Sequence, residues 1–562
     1  MLKALHSCAL RHAHGGRGGM TGLVFVRPKA VRGRLYTNAP ICLGAKDRFK
    51  PPSCKIVSTI GPTSEQYDVL KQLVDEGVRV MRLNFSHATV EEADLRIKNL
   101  RRCKGRAGLS GGLEMEAAPD ASHENAGQGR NLRAVLLDTR GPEIRTLPLE
   151  NDESGIMSVP LSAGEKVIIR SDTTGEKRCK GGVFYVNLDA VEEKISVGDL
   201  ILLDDGKVVL SCTAVEGAEV VTSVAVPGTV RSRVGVNLPG VKTGLPAMSE
   251  KDKQDIIYGV KNDIDYVAAS FVRDREGVRS IRNFIRETVD QVNKGGVEPL
   301  VISKIENTEG LENFEDILDE SDGIMVARGD LGVEIPIERV ALEQKRMVKR
   351  CNEVGKPVIV ATQMLESMTD SASPTRAEVS DVTNAVLDGA DAVMLSGETA
   401  KGQYPVETVR AMGHIIKEAE GWREGHPKTS IYKWRESGRG KNYNSVAKGA
   451  VTASFAAEAR CIIVLTKTGR TARLVSRYRP SVPIICYTGS YKVGRQLQLY
   501  RGCHPVVGLE QLKPYERGKN AVNLSKKLGF LKEGDGFILV TSESFYDEGG
   551  GNVISMKVGT VE

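Results

Sequence analysis

Lys304 and Glu306 stand two residues apart at the end of an apolar run, Leu300-Val-Ile-Ser-Lys304-Ile-Glu306. On an extended strand, residues two apart share a face, so this ammonium and carboxylate project together. A second carboxylate, Asp330, follows another apolar run in the phrase Ala327-Arg-Gly-Asp330. Two carboxylates with no His or Cys in company are hard oxygen ligands, which suit Mg²⁺ or Mn²⁺ rather than zinc. A lysine beside such an ion can neutralise charge on a phosphoryl group in transfer or on an enolate oxygen. Arg82 and Arg145 add planar guanidinium forks that match phosphate. Taken singly, each of these residues could equally be half of a surface ion pair.

They do not occur singly. Apolar runs of strand length end in Arg82-Leu-Asn84-Phe-Ser86-His87, in Asp138-Thr139-Arg140-Gly141-Pro142-Glu143-Ile144-Arg145, in Ser270, in Lys304-Ile-Glu306-Asn307, in Arg328-Gly329-Asp330, in Thr362-Gln363 and in Ser396-Gly-Glu398. The runs alternate with amphipathic stretches. Lys55–Ile60, Arg79–Leu83, Ala134–Leu137, Ile264–Ala269, Leu300–Lys304, Gly323–Ala327, Pro357–Ala361 and Asp391–Leu395 make eight strand–helix units, the count of a (β/α)8 TIM barrel, whose reactive groups sit at the C-terminal strand ends. Thr63 with Gln66 reads as a capping box for a helix with Tyr67, Leu70, Leu73 and Val74 inward and Gly77 at its end. A helix after Pro336 carries Val340, Met347 and Cys351 on one face.

Between about residues 146 and 245 the alternation stops. Lys166–Arg170, Val183–Val186, Leu200–Leu203 and Lys207–Cys212 read as β, the last two joined around Asp205-Gly206. The expected organisation is an N-terminal extension over 1–50, barrel over 51–145 and 246–414, an inserted small β-barrel over 146–245, and a C-terminal α/β domain over 415–562. That last domain has strands at Cys461–Leu465, Pro483–Tyr487 and Phe537–Val540. The Gly/Ala-rich stretch Gly105–Gly129 reads as a mobile surface loop.

Composition narrows the function classes. Of 562 residues, 40% are hydrophobic and 27% charged, enough for several packed cores, and no long uncharged apolar run suits a membrane span. Ten Cys with no CxxC pair and eight His argue against a disulfide scaffold or structural zinc. The net charge of +6 is local, because residues 1–50 hold ten Lys/Arg against Asp47 alone, leaving 68 basic and 71 acidic residues behind them. A nucleic-acid footprint over the fold is therefore not indicated. The basic head fits a disordered tail on a cytoplasmic protein, with Met20 as a second possible start. It equally fits a transit peptide over residues 1–45 for a mitochondrial or plastid matrix.

The motifs Val301-Ile-Ser-Lys304-Ile-Glu306-Asn307, Met325-Val-Ala-Arg-Gly-Asp330-Leu-Gly332, Ala361-Thr-Gln-Met-Leu-Glu366 and Met394-Leu-Ser-Gly-Glu-Thr-Ala-Lys-Gly402 resemble those of the pyruvate kinase family. The resemblance runs over roughly residues 52–562 and includes the insertion. It implies phosphoryl transfer from phosphoenolpyruvate to ADP, giving pyruvate and ATP, with Mg²⁺ (or Mn²⁺) and K⁺. It assigns the divalent ion to Glu306 and Asp330, and the transferring phosphate and enolate to Lys304. It assigns protonation of the methylene carbon to Thr362, and the substrate phosphate to Arg82. Gly329, Asp330 and Ser270 would border the substrate. Asn84, Ser86, Asp138 and Thr139 would ligate K⁺, with a Glu at the place of Glu143 marking potassium dependence. Asn84, His87 and Arg145 would face the nucleotide.

Two departures bear on the nucleotide. Val234 stands where the family often has a contacting Lys, which leaves that role to Arg233 or Arg231, and Arg140 replaces a common Lys. The phrase Thr466-Lys467-Thr468-Gly469-Arg470-Thr471 offers hydroxyls, cations and a helix start as a phosphate cradle, and it resembles the family's sugar-phosphate effector loop. The last loop, Ser542-Glu543-Ser544-Phe545-Tyr546-Asp547-Glu548-Gly549, is acidic where members activated by bisphosphates bring Arg and Trp. By analogy the chain is expected to be a homotetramer. Competing readings are another phosphoenolpyruvate- or pyruvate-handling barrel such as a lyase, or a catalytically silent paralogue with a binding role.

Overall fold

A computed structural model describes residues 51–103, 132–152, 157–425, 441–507, 514–544 and 552–562. The basic head, the Gly105–Gly129 loop and the tip of the last loop, from residue 545, lie outside the described residues. Eight parallel strands close into a barrel: β1 (Lys55–Thr59), β2 (Val78–Asn84), β3 (Ala134–Asp138), β4 (Tyr266–Ala269), β5 (Leu300–Ile305), β6 (Gly323–Ala327), β7 (Val358–Ala361) and β8 (Ala392–Leu395). Each strand pairs with its sequence neighbours, and β8 returns to β1 through Lys55↔Ala392 to Ser58↔Leu395. β2 to β8 lie within a residue or two of their expected runs.

These runs are continuously apolar because both faces are covered. Val57, Val80, Leu136, Tyr266, Ile302 and Met325 fill the lumen, while Ile56, Met81, Leu137, Val267 and Val326 meet the surrounding helices. Leu499, from a short helical turn of the C-terminal domain, joins the lumen cluster and stoppers its floor. The Tyr266 hydroxyl donates to the carbonyl of Gln496 in the same segment.

One local expectation fails. The helix Tyr67–Glu76 has Gln66 at its N-cap with no side-chain cap. The hydroxyls of Thr63 and Ser64 instead donate to the Thr399 carbonyl, at 3.4 and 2.6 Å, tying the loop after β1 to the loop after β8. Gly77 does end that helix, with φ +119°. Complete capping boxes occur elsewhere, at Thr89/Glu92, Ser249/Asp252 and Thr375/Glu378.

The insertion is β-rich, as expected, and its strands pair as a six-stranded mixed sheet and a two-stranded ribbon around one apolar core. The connection after Leu203 is four residues rather than a two-residue turn, since Leu203 pairs with Val208. Asp204, Asp205 and Gly206 within it all have positive φ. The C-terminal domain is a five-stranded sheet, its last strand antiparallel, flanked by helices. Two of its strands, Cys503–Val507 and Asn552–Thr560, lie outside the expected set. All eight described cysteines are free and buried. Among the described residues no helix is long and apolar enough to cross a membrane.

Candidate active site at the barrel mouth

Closure of the barrel sets the ends of β2 to β5 side by side and concentrates their charged side chains. Lys304 is buried, and its Nζ donates to Ser270 Oγ at 2.7 Å and pairs with Glu306 Oε1 at 2.8 Å and Asp138 Oδ1 at 3.2 Å. The three hydrogens of the ammonium are thus matched by three oxygens from β3, β4 and β5. Asp138, fully buried, also takes Arg82 Nε at 2.6 Å on its other oxygen. Arg82 reaches Thr59 on β1 at 3.0 Å. Burial, the largest influence, pushes the Asp138 carboxyl up, but Arg82 and Lys304 together outweigh it and hold the carboxyl below its usual range. For Lys304 burial acts downward, and Asp138, Glu306 and Asp330 overcome it, so the ammonium is held charged.

Glu306 accepts from the Phe271 amide at 2.6 Å through its second oxygen. Burial first, and then the charge of Asp330, push its carboxyl upward against the pull of Lys304. Asp330, in the first turn of the helix Arg328–Glu334, has no hydrogen-bond or ion-pair partner among the described residues. Its charge also raises Asp205 and Glu334, each raised chiefly by burial. The mouth therefore carries more carboxylate than its own cations balance. That is the donor set a divalent cation fits, with two protein carboxylates and its remaining positions left to water or substrate oxygens. No cluster of three or more His, Cys, Asp or Glu occurs among the described residues.

Thr362 and Gln363 both sit at positive φ, +67° and +52°. For a β-branched residue this is a strained conformation costing on the order of 1–3 kcal/mol, kept only where surroundings enforce it. Arg328 enforces it. Its guanidinium donates to the carbonyls of Ala361 at 3.2 Å and Thr362 at 2.6 Å, and is itself held by Asp381 at 2.7 Å. The Thr362 hydroxyl then accepts from the Gly329 amide at 2.8 Å and donates to the Ala361 carbonyl at 2.6 Å. Gly141, at φ +76°, lets the loop after β3 cross the end of β4, because a Cβ there would lie 2.8 Å from the Phe271 ring and 2.9 Å from Ser270 Cβ.

The remaining expected site residues divide. Asn84 and Asp138 are register partners, and the Asn84 side chain accepts from the Ser86 amide at 3.2 Å. The Thr139 hydroxyl accepts from the Ser270 amide at 3.2 Å, and its carbonyl accepts from Ser270 Oγ at 2.6 Å. His87 is exposed, with only its amide tied back to Asn84. A cleft of about 410 Å³ lies between insertion and barrel, and Arg145, Arg233, Asp205, Asn307 and Asp330 help line it. Arg145 donates to Glu143 at 2.7 Å and to the Arg233 carbonyl at 2.8 Å, and Glu143 also takes Arg140 at 3.3 Å. Val234 turns into the core of the insertion, while exposed Arg233 adopts φ +58° at the cleft edge. Asn237 donates to Glu334 at 3.1 Å, joining insertion to barrel.

Arg328, Phe271 and Asn237 contact Thr362, Glu306 and Glu334 at this mouth, and the sequence alone assigned them no role. Arg328 alone had a signal, since it stands inside a polar strand end. In the C-terminal domain Gly469, at φ +78°, precedes the helix Arg470–Arg477; Thr466 and Thr471 are buried, and Lys467, Thr468 and Arg470 are exposed.

A closed parallel barrel whose mouth combines paired carboxylates, a buried lysine and a phosphate-type arginine defines a phosphotransferase of the α/β-barrel class. The family comparisons are specific. The model described as pyruvate kinase, barrel domain, matches residues 52–409, and the one described as pyruvate kinase, alpha/beta domain, matches residues 444–557. The chain is 41% identical to the pyruvate kinase of Bacillus licheniformis, covering 90% of this chain and 80% of that one. It is 41% identical to a pyruvate kinase of Rattus norvegicus, covering 87% and 82%. The crystal structure of a pyruvate kinase from Cryptosporidium parvum superposes with a TM-score of 0.77 at 34% identity, covering 91% of this chain and 96% of that one. The chain belongs to the pyruvate kinase family.

The Arg328 strap generates a prediction. Arg328→Lys removes the planar fork while keeping a cation, so Thr362 loses its fixed carbonyl and relaxes from positive φ. Turnover is expected to fall at least about tenfold, or about 1.4 kcal/mol in barrier. The KM for phosphoenolpyruvate should change little, since Arg82 and Lys304 stay in place. Steady-state kinetics decide it, and unchanged turnover would show that the strap does not set Thr362.

Proposed function

We propose that the chain transfers the phosphoryl group of phosphoenolpyruvate to ADP, giving pyruvate and ATP, the closing step of glycolysis. The observation that carries this reading is the buried ammonium of Lys304, held within 3.2 Å of Ser270, Glu306 and Asp138. A cation so fixed meets charge developing on a transferring phosphoryl group and on the enolate left behind, with no reorganisation at the moment of reaction. Arg82, anchored on Asp138 and Thr59, grips the substrate phosphate. Gly329, Asp330 and Ser270 border the rest of the substrate. The Thr362 hydroxyl helps protonate the methylene carbon, relaying a proton that it takes up again from solvent, as the enolate collapses to pyruvate. Glu306 and Asp330 would hold Mg²⁺ or Mn²⁺, which supplies positive charge to the phosphoryl oxygens. The nucleotide reads onto the cleft beside Asn84, His87, Arg145 and Arg233; with Val234 buried, Arg233 is the cation left to meet its phosphates.

Two exposed apolar faces support self-association, consistent with a homotetramer. Ile337 and Leu342 stand out on the helix Ile337–Val354, 79% and 66% exposed. Val553, Met556 and Val558 lie on the edge strand Asn552–Thr560, where unpaired backbone groups invite pairing with a second copy.

A coupled assay of pyruvate formation from phosphoenolpyruvate and ADP tests the reading as a whole. Within it, Lys304→Met keeps the stem and removes the charge. Losing one preorganised electrostatic group costs about 10²–10³ in turnover, while ground-state affinity for phosphoenolpyruvate should change much less. Near-normal turnover would sink the mechanism.

Potassium activation is expected from Asn84, Ser86, Asp138 and Thr139, which offer oxygen ligands and one charge. Glu143 is neutralised by Arg140 and Arg145 and brings no internal cation to that place. Rates in potassium should exceed those in tetramethylammonium, and equal rates refute the site.

The turn 466–471 reads as a phosphate cradle for a sugar-phosphate effector. Glu543, Asp547 and Glu548 in the last loop repel a second phosphate, so a hexose or pentose monophosphate should activate at subsaturating phosphoenolpyruvate and fructose 1,6-bisphosphate only weakly. Strong bisphosphate activation abolished by Thr466→Ala and Arg470→Ala would show that the acidic loop excludes nothing; activation surviving both would place the effector elsewhere.

A further inference from the structure

The chain leaves the barrel for the insertion through the segment 139–145 after β3 and returns through 245–249, just before the helix Glu250–Lys261. One buried carboxylate joins the two segments. Asp252, in the first turn of that helix, is 1% exposed. Its Oδ2 accepts from the Ser249 amide at 2.8 Å and from the Ser249 hydroxyl at 2.7 Å, completing the capping box of the helix. A capping box asks for no more than that. Oδ1 is used outside the helix, where it accepts from the Gly141 amide at 3.0 Å, 111 residues away along the chain.

Capping does not explain the burial. In the box at Thr89, Glu92 serves its helix from a side chain that is 41% exposed. Asp252 is taken out of water, which a carboxylate tolerates only when hydrogen bonds replace its hydration. The donors that replace it come from the outgoing segment on one oxygen and from the returning segment on the other. Such bonds to a charged oxygen are roughly twice as strong as neutral ones.

The position of Gly141 reaches the mouth in two directions. Two residues before it, the Thr139 carbonyl accepts from Ser270 Oγ at 2.6 Å, and Ser270 Oγ is the atom that accepts from Lys304 at 2.7 Å. Two residues after it, the Glu143 amide donates to the Gly141 carbonyl at 3.0 Å, and the Glu143 carboxylate takes Arg145, which lines the cleft. Gly141 lies against Ser270 and Phe271 with no room for a Cβ, so a shift there is passed on to the end of β4. The returning segment is held at the same place, because Arg273, in the loop after β4, donates to the Leu245 carbonyl at 3.3 Å.

We propose that Asp252 is a positioning residue for phosphoryl transfer. By pinning Gly141 to Ser249 it fixes the root of the insertion on the barrel, and with it the seat of Thr139 beside Ser270 and the reach of Arg145 and Arg233 across the cleft. It acts through these groups and not on the substrate. This role rests on the phosphoryl transfer from phosphoenolpyruvate to ADP, which the coupled assay of the unaltered chain tests by itself.

Asp252→Asn keeps the shape of the side chain but has a single acceptor oxygen, so it can hold Gly141 or Ser249 and not both. Turnover is expected to fall roughly tenfold and the KM for ADP to rise about fivefold, since a misplacement on the order of 1 Å, remote from the chemistry, has effects of this size or larger. The KM for phosphoenolpyruvate should stay within about twofold, because Arg82 and Thr362 hang from other strands. Thr375→Ala, which opens the capping box of another helix, is the control and should lower Tm while leaving all three constants unchanged. Hydrogen exchange read on peptides spanning 139–145 and 245–252 should accelerate in at least one of the two in Asp252→Asn. If Asp252→Asn lowers Tm as Thr375→Ala does and leaves turnover and the KM for ADP unchanged, Asp252 is a helix cap alone and the proposal falls. Equal rises in both KM values overturn it as well, since the mouth has then loosened as a whole. Should Asp252→Asn not fold, exchange in the unaltered chain decides: slow exchange of the Gly141 amide supports the pin, and exchange at the rate of a free amide overturns it.

Discussion

The linkage of Arg82, Asp138, Lys304 and Glu306 is the interaction on which the mouth depends. Asp138 has no exposed surface, and a carboxylate so placed stays ionised only because Arg82 and Lys304 approach it from two sides. Removing one partner leaves a buried charge uncompensated, which typically costs about 3–5 kcal/mol. The linkage spans β2, β3 and β5, with Ser270 bringing in β4. It exists only if the barrel closes in register, since a one-residue slip would turn each side chain to the opposite face. The lumen packing of Val57, Leu136, Tyr266 and Ile302, with Leu499 below, is what enforces that register. Core and chemistry are therefore one constraint.

The same rigid frame stores backbone strain at the strand ends. Phe271 and Thr362 both have positive φ, and each uses it to present a group to the site: the Phe271 amide to Glu306, the Thr362 hydroxyl to Gly329. Neither residue type favours that conformation. For Thr362 what holds it is external, the Arg328 fork, while the missing Cβ at Gly141 leaves the room that the Phe271 ring occupies.

This division explains what the sequence could and could not tell. Lys304 and Glu306 were legible because strand periodicity alone puts them on one face, and the eight-unit barrel followed from apolar runs that both faces bury. Arg328 was not legible, because its role depends on carbonyls 33 and 34 residues away along the chain. The orientation of Val234 into the insertion's core is likewise a tertiary outcome. The capping box at Thr63 and Gln66 failed because the helix begins only at Tyr67, with Gln66 itself at the N-cap, while the Thr63 and Ser64 hydroxyls tie the preceding loop to the Thr399 carbonyl. Strand Cys503–Val507 opens on Cys, His and Pro and has only two Val to mark it, a weak strand signal. It is a strand because the C-terminal sheet and the barrel floor bury it.

The two ends of the barrel are charge-imbalanced in opposite senses. At the mouth, burial first and then the charge of Asp330 push the carboxyls of Asp205, Glu306 and Glu334 upward. At the floor, burial first and then a neighbouring cation, Arg79 for Lys55, Arg133 for Arg79 and Lys55 for His504, push these groups downward. A protein selected for stability alone would pair or delete such groups, because well-packed apolar replacements are often neutral or stabilising. Their retention at the mouth matches a site that takes a cation together with an anionic substrate.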